Sequence, residues 1–409
     1  MRLVRHVPRL RGPRRPLQGR GRAPRGGGGP PVSRGDRWLL ALPLALTAIG
    51  LVMVYSSSAI LGITRYQDAD IFLWKQAQRT ALGLAAFVAA SRLSLRWLEA
   101  RAPWLLGGAA ALLAAVVVAG RASNGATRWL SVGFFSLQPT DLARLAAVVF
   151  FAWWLKRRPP AALGFVRGTA APLAIAGGLA GLILLQPNLS SAGLLGATAF
   201  AMTFLAGARL AHLAVPVACG AAGVALALAT HPYQLERVET FVRFVTTGVL
   251  DARGSGWQLD QSLVAIGSGG AFGRGLGGGM QKYLFLPEAH TDFIFSILAE
   301  ETGFFGATLL LALFALLVWR GLRAAARASD TFSALLAGGL TVQIGLYALV
   351  NLAVATGLAP TTGLPLPYVS YGGSALIANL AAAGLLYRIS AQNGADQALD
   401  RQRWAREGA

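Results

Sequence analysis

Lys282, Glu288, His290, Thr291 and Asp292 fall within eleven residues of one another, and the apolar run Phe293-Ile-Phe-Ser-Ile-Leu298 follows them directly. A carboxylate or imidazole at a substrate hydroxyl can take its proton, and a lysine or arginine can neutralise an anionic leaving group. An ionisable side chain at the edge of a membrane span is costly, about 2.5–3.5 kcal/mol for an Asp at a helix centre, so its retention points to function. Thr291-Asp292 also has a blander reading, the acidic opening of a helix favoured by the macrodipole. His290, two residues away, either orients Asp292 or caps the helix.

Upstream, Gly267-Ser-Gly-Gly-Ala-Phe-Gly-Arg-Gly-Leu-Gly-Gly-Gly279 contains a formal G-x-G-x-x-G at Gly273, Gly275 and Gly278. A nucleotide fingerprint needs a strand before it and a helix after it, and neither is expected here. Two readings stay open. The glycines either form a backbone nest for an anionic ligand, with Arg274 and Lys282 as charge partners, or make a flexible turn. Elsewhere Arg128, Asp141 and Arg144 cluster in sequence, and the spacing of the last two lets them pair on one helix face. Pro360–Ser374 breaks the helical pattern with three prolines and then supplies Ser370 and Ser374 as a span begins. Irregular backbone at membrane depth persists where protein buries it or a polar cavity adjoins it. The four histidines are scattered without ligand spacing, which argues against a zinc site.

The elements that must position these residues are membrane helices. Of 409 residues, 55% are hydrophobic and only 13% are charged, and the mean hydropathy is +0.53, values that suit a polytopic membrane protein and not a soluble domain. The net charge of +20 does not indicate nucleic acid, because eleven of the 37 basic residues are arginines before Trp38. That Arg-, Gly- and Pro-rich stretch buries too little to fold and is expected to be a disordered tail that sets topology and touches anionic lipid. The single cysteine, Cys219, supports neither a disulfide nor a metal site.

Apolar runs predict about ten spans, near 38–57, 74–91, 103–120, 140–156, 168–186, 189–207, 211–229, 292–319, 332–356 and 369–388. The fold class is therefore all-α and polytopic, with a long extracytoplasmic loop between helices 7 and 8. Basic residues occupy alternate gaps, which by the positive-inside rule places both termini in the cytoplasm. The expected organisation is a disordered basic tail at 1–36, a transmembrane domain at 37–389 containing an extracytoplasmic loop at 230–291, and a cytoplasmic tail at 390–409. Within that loop, Leu235–Phe244 has helical charge spacing and is expected to lie along the membrane surface.

Several separated signatures give the chain a family resemblance. They are Asn124–Leu130, Gln138-Pro139, Gln186-Pro187, Gln261-Ser-Leu-Val-Ala-Ile-Gly-Ser-Gly-Gly270, Leu286-Pro-Glu-Ala-His-Thr-Asp-Phe-Ile-Phe295 and Pro367-Tyr-Val-Ser-Tyr-Gly-Gly-Ser374. Through them the sequence resembles the SEDS family of bacterial shape, elongation, division and sporulation proteins from about Trp38 to Arg388. Tyr55-Ser-Ser-Ser58, Gly275-Leu-Gly277 and Gln281-Lys282 look more like the FtsW branch than the RodA branch. Two departures stand out. Asn188 replaces an aspartate usual in the family, and Asp141 with Arg144 replaces a glutamate with a lysine.

The resemblance implies a multi-pass protein of the cytoplasmic (inner) membrane. Its expected activity is a peptidoglycan glycosyltransferase that polymerises lipid II on the outer face during division or elongation. It also implies a class B penicillin-binding protein as transpeptidase partner, within a larger divisome or elongasome assembly, and Asp292 as the catalytic residue. Because the leaving group is a lipid diphosphate, the chemistry needs one base and cations more than a general acid. Asp292 is then the base and Glu288 the backup carboxylate. Burial near Phe293 and Phe295 would raise the Asp292 pKa, whereas the helix N-terminus and Lys282 would lower it. Lys282 and Arg274 are expected at the diphosphate, with Arg243 or a divalent cation, Mg or Mn, in support and no nucleotide. Arg128, His290, Ser370 and Ser374 complete the expected substrate-binding set. Two rival functions are a lipid II transporter and a non-catalytic scaffold that activates the penicillin-binding protein.

Overall fold

The computed structural model describes residues 35–119, 121–123, 126–132, 135–250 and 254–407. The tail expected at 1–36 therefore lies almost wholly outside the described residues. Helices occupy all the stretches expected to span. They are α1 (Arg37–Tyr66), α2 (Ile71–Arg92), α3 (Leu95–Ala119), α4 (Pro139–Arg157), the short α5 (Pro160–Gly164) continuing through a π-helical turn into α6 (Ala171–Leu184), α7 (Leu189–Leu205) and α8 (Leu210–Thr230). After the long loop come α11 (Ile294–Ala326), α12 (Thr331–Ala355) and α13 (Gly373–Glu407). Seven helices among the described residues are long and apolar enough to cross a membrane, and α7 is apolar but shorter.

Helices α2 and α4 carry more charge, and the two charges at the start of α4 sit inside the bundle. Asp141 and Arg144 are 5% and 3% exposed and form an ion pair, and the Arg144 guanidinium lies 3.8 Å from the centre of the Tyr347 ring. Ionisable groups at membrane depth are tolerated in this way, when protein and not lipid surrounds them. The 30 residues of α1 reach about 45 Å, well beyond a hydrocarbon core of about 30 Å. This explains why α1 runs past the expected end at 57.

Between membrane helices lipid is as apolar as the packing surface, so close contact of small residues takes the place of the hydrophobic effect. At Gly50 of α1 a Cβ would lie 2.7 Å from the carbonyl oxygens of both Tyr368 and Val369. That contact presses α1 against the irregular segment before α13. Along the rest of the bundle α2 lies against α13, α11 against α12 and α1, α3 against α4, and α12 against α4 and α7. Leu46, Met53, Phe151, Phe293, Phe332, Leu336 and Leu380 are buried in their shared core.

Contacts sort the connections into the two groups that charge alternation implies. At one end Arg320 pairs with Asp36 at 3.2 Å, Lys156 with Glu99 at 2.8 Å, and Asn393 Nδ2 donates to the Ala324 carbonyl at 3.0 Å. At the other, Ser190 Oγ donates to the Thr362 carbonyl, Arg237 to the Thr361 carbonyl, and the Tyr371 N–H to the His290 carbonyl.

Three details differ from the expectation. Residues 121–137 include a small antiparallel sheet of β1 (Arg121–Ser123), β2 (Ala126–Val132) and β3 (Phe135–Leu137), so the chain is not purely helical. In the loop expected at 230–291, α9 (Pro232–Thr247) covers the helical stretch expected at Leu235–Phe244, but a second helix, α10 (Gly254–Ser268), was not expected; Ser255 Oγ joins the two by donating to Thr240 Oγ1 at 3.2 Å. Finally, α13 continues to Glu407, past the span expected to end at 388 and through Asn393-Gly394, with no proline in Ser390–Ala398 to stop it.

Candidate functional site

The segment 269–293 that carries the chemical cluster has no regular structure, and a break in α11 anchors it. Gly303 sits at φ 67, ψ −164 inside α11 and divides it into two helices across a kink. That region of backbone space is essentially open to glycine alone. A Cβ there would also lie 2.3 Å from the Gly273 nitrogen. The kink frees the Glu300 and Glu301 carbonyls, which accept from the Arg274 and Gly275 N–H groups at 3.0 Å each. Phe304 N–H in turn donates to the Gly270 carbonyl at 2.9 Å. A broken helix at membrane depth is thus satisfied entirely by protein.

Within the glycine run the Arg274 and Gly275 N–H groups thus meet backbone carbonyls. The two residues that follow the run hold an anion, the carboxylate of the protein's own Glu300. Met280 N–H donates to Glu300 Oε1 at 2.8 Å and Gln281 N–H to Oε2 at 3.2 Å. Glu300 is fully buried, and Arg274 Nη1 lies 3.8 Å from its Oε1.

Lys282 is likewise turned inward. Its ammonium donates to Glu301 Oε1 at 2.8 Å, the Gly277 carbonyl at 2.6 Å and Ser56 Oγ at 3.1 Å, which uses all three of its donors. Ser56 Oγ also donates to Glu301 Oε1 at 2.6 Å and ties the cluster to α1. In this conformation Lys282 is a buried strut, not an open cation, whereas the Arg274 side chain remains 42% exposed.

Asp292 lies in the turn that enters α11. Its N–H donates to the Glu288 carbonyl at 3.1 Å, and its carbonyl accepts from Asn351 Nδ2 at 2.8 Å. Asn351 Nδ2 also reaches the Leu364 carbonyl at 2.7 Å, so one buried amide on α12 holds both the Asp292 turn and the Pro-rich segment. The Asp292 side chain is half-buried beside Gly363, within 3.5 Å of where a Cβ would stand. The exposed Glu288 accepts from Thr291 Oγ1 at 2.7 Å.

Ser370 and Ser374, expected to line a substrate site, are buried and hold the scaffold. Ser370 Oγ donates to the Thr291 carbonyl at 2.6 Å and accepts from the Leu366 N–H at 2.8 Å. Ser374 Oγ accepts from the Gln138 N–H at 3.0 Å, at the start of α4. Arg243 is exposed on α9. The Arg128 side chain lies outside the described residues.

His290 packs against Phe72 and Tyr371, with ring centres 5.2 and 5.3 Å away. Around this aromatic group stand cations from the α1–α2 hairpin that sequence reading missed. Lys75 lies 5.2 Å from the Tyr66 ring centre and Arg79 lies 4.4 Å from that of Tyr371. Burial lowers the His290 pKa and Arg65 lowers it further, while Glu288 pulls the other way. Burial raises the Tyr371 pKa, against the influence of Arg79.

A pH dependence follows from His290. The unfolded chain takes up a proton near pH 6.5 and the folded chain only at lower pH, so folded stability is lost as pH falls through that window. His290→Phe keeps the ring packing and removes the titration. The melting midpoint of the unaltered protein should therefore drop more between about pH 7.5 and 5.5 than that of the variant. Parallel shifts would show that His290 does not contribute.

Glu300 and Glu301 were also missed, although two adjacent carboxylates inside an apolar run are a readable signal. Among the described residues no group of three or more His, Cys, Asp or Glu side chains could hold a metal ion.

The fold and site define a polytopic integral membrane protein with one half-buried carboxylate at the end of the bundle opposite its basic connections. The sequence profile of the FtsW/RodA/SpoVE family, described as a cell cycle protein, matches residues 37–395, and the chain belongs to that family. It is 42% identical to the "Probable peptidoglycan glycosyltransferase FtsW" of Thioalkalivibrio sulfidiphilus, over 88% of this chain and 90% of the relative. Identity to the stage V sporulation protein E of Bacillus subtilis is 37%, covering 87% and 96%. Among solved structures, one reported as structural coordination of polymerization and crosslinking by a peptidoglycan synthase complex matches with a TM-score of 0.72 and 34% identity, covering 87% of this chain and 97% of that one. The rod shape determining protein RodA of Thermus thermophilus matches at 0.65 and 32%, covering 87% and 96%.

Proposed function

We propose that this protein is a peptidoglycan glycosyltransferase that polymerises lipid II at the outer face of the cytoplasmic membrane. The observation that carries the reading is the half-buried Asp292, held by its own backbone bonds to Glu288 and Asn351 at the end of the bundle opposite the basic connections. Family membership and the names borne by its relatives support the same activity. In the proposed reaction the Asp292 carboxylate takes the proton of an acceptor sugar hydroxyl. The hydroxyl oxygen then bonds to the anomeric carbon of the donor, and the bond from that carbon to the lipid diphosphate breaks.

The leaving diphosphate needs cations. Arg274 remains exposed for this role, and Lys75 and Arg79 stand beside His290, two residues from Asp292. Lys282 instead positions the loop through Glu301, and Arg243 and a divalent cation stay secondary candidates. A diphosphate itself supplies most of the oxygen ligands that Mg²⁺ prefers, so one carboxylate would be enough from the protein. The positive-inside rule, applied to the basic connections, supports a cytoplasmic position for both termini. A class B penicillin-binding protein would act as the crosslinking partner, and the FtsW-like relatives favour a role in division.

Purified protein incubated with fluorescent lipid II, alone and with the partner, tests the reading. Glycan ladders establish the enzyme. Leaflet exchange without polymer would replace it with a transporter, and ladders that persist only through another polymerase would leave a scaffold.

A further inference from the structure

At the basic end of the bundle, at the other end of α11 from the Asp292 loop, the start of α1, the end of α11 and the middle of α13 surround an open cavity of about 220 Å³. Its wall includes Asp36, Arg323, Arg327, Ser390 and Asn393. Arg320, Arg323 and Arg327 project from one stretch of α11, yet the only carboxylate they meet among the described side chains is Asp36, which pairs with Arg320 at 3.2 Å. Like charges at i and i+4, as in Arg323 and Arg327, repel one another. An anion between them relieves that repulsion.

Two further observations specify the anion. Asn393 is only 6% exposed; its Nδ2 donates to the Ala324 carbonyl, while its buried Oδ1 has no hydrogen-bond partner among the described residues. The wall thus offers a buried, unused acceptor beside two arginines that meet no carboxylate among the described side chains, Arg323 lying 5.5 Å from the Trp319 ring centre, which suits a ligand with a phosphate and a hydroxyl. Beside the cavity, Trp38 and Trp319 are 46% and 52% exposed, and the Arg320 guanidinium lies 5.6 and 4.9 Å from their ring centres. Exposed tryptophans of this kind mark the head-group level of a bilayer. The volume is below the roughly 300–1,000 Å³ of pockets that enclose whole drug-sized ligands, as expected if only a head group enters and the acyl chains stay in the membrane.

We infer that this cavity binds the head group of an anionic phospholipid, its phosphate on Arg323 and Arg327 and its head-group hydroxyl toward Asn393. Basic pockets between membrane helices recognise phospholipids by this chemistry. The site is independent of the proposed sugar transfer and would anchor α1, α11 and α13 to one leaflet.

Native mass spectrometry of the full chain, delipidated in detergent and supplied with phosphatidylglycerol or phosphatidylcholine, tests the inference. One phosphatidylglycerol should be retained per chain in preference to phosphatidylcholine, and it should raise the melting midpoint. Arg323→Gln with Arg327→Gln should weaken retention roughly tenfold, the factor that about 1.4 kcal/mol carries. Arg327→Glu, at an exposed position that packing does not depend on, should do at least as much, and Arg167→Gln should change nothing. Equal retention in the Arg323 and Arg327 variants would overturn the site. Equal retention of the zwitterionic lipid would overturn its selectivity. A midpoint rise as large with inorganic phosphate would reassign the cavity to a free anion.

Discussion

Asp292→Asn should leave the protein folded and reduce lipid II polymerisation by about 10²- to 10⁴-fold, the range over which a positioned general base contributes. The substitution is nearly isosteric, and the bonds that hold the turn come from the residue's backbone, through the Glu288 carbonyl and Asn351 Nδ2. Those survive the change. What is lost is a group able to accept a proton from the acceptor hydroxyl, so kcat should fall while KM for lipid II changes little. Glu288→Gln is the companion variant. Glu288 is exposed and its side chain bonds Thr291 Oγ1, so a mild loss is expected there. Ladder synthesis by Asp292→Asn at the unaltered rate would remove Asp292 from the mechanism, and a severe loss in Glu288→Gln alone would move the base to Glu288.

Lys282→Ala should be among the most destabilising single changes in the chain. Lys282 and Glu301 form a buried pair, with side chains 5% and 0% exposed and a 2.8 Å contact. Removing one partner of such a pair leaves a buried charge uncompensated and costs about 3–5 kcal/mol. Here the stranded group would be Glu301, left with the Ser56 hydroxyl as a donor. Lys282→Met combined with Glu301→Gln removes both charges and keeps most of the volume, so it should cost clearly less than Lys282→Ala. The melting midpoint of detergent-purified protein measures the difference. If Lys282 instead serves the diphosphate directly, Lys282→Ala would leave the midpoint unchanged and impair use of the lipid donor alone. That result would reverse its assignment as a strut.

Asp292 stood out because an acid at the mouth of an apolar run is expensive to keep, and that cost depends only on local sequence. Glu300 and Glu301 satisfy the same criterion a few residues later, but lying inside the run they were absorbed into the span. Ser370 and Ser374 illustrate the opposite case. Small hydroxyls after a proline-rich break look ready for a ligand, yet both are consumed by backbone groups from other parts of the chain, at Thr291, Leu366 and Gln138.

Hydropathy, charge alternation and the spacing of signatures were enough to establish a helical membrane protein of this family, the order of its spans and the grouping of its connections at two ends. Each of those depends on one-dimensional properties, since a span must be apolar over about 20 residues and positive charge favours one side. The partners of the polar groups depended on tertiary structure. Arg274 meets Glu300, Lys282 meets Ser56 across 226 residues, and Asn351 joins Asp292 to Leu364. A buried donor is satisfied by whichever acceptor the packing delivers, and the kink at Gly303 makes the decisive delivery. By opening the backbone of α11 it seats the glycine-rich loop on the protein's own glutamates and leaves Asp292 at the bundle's rim.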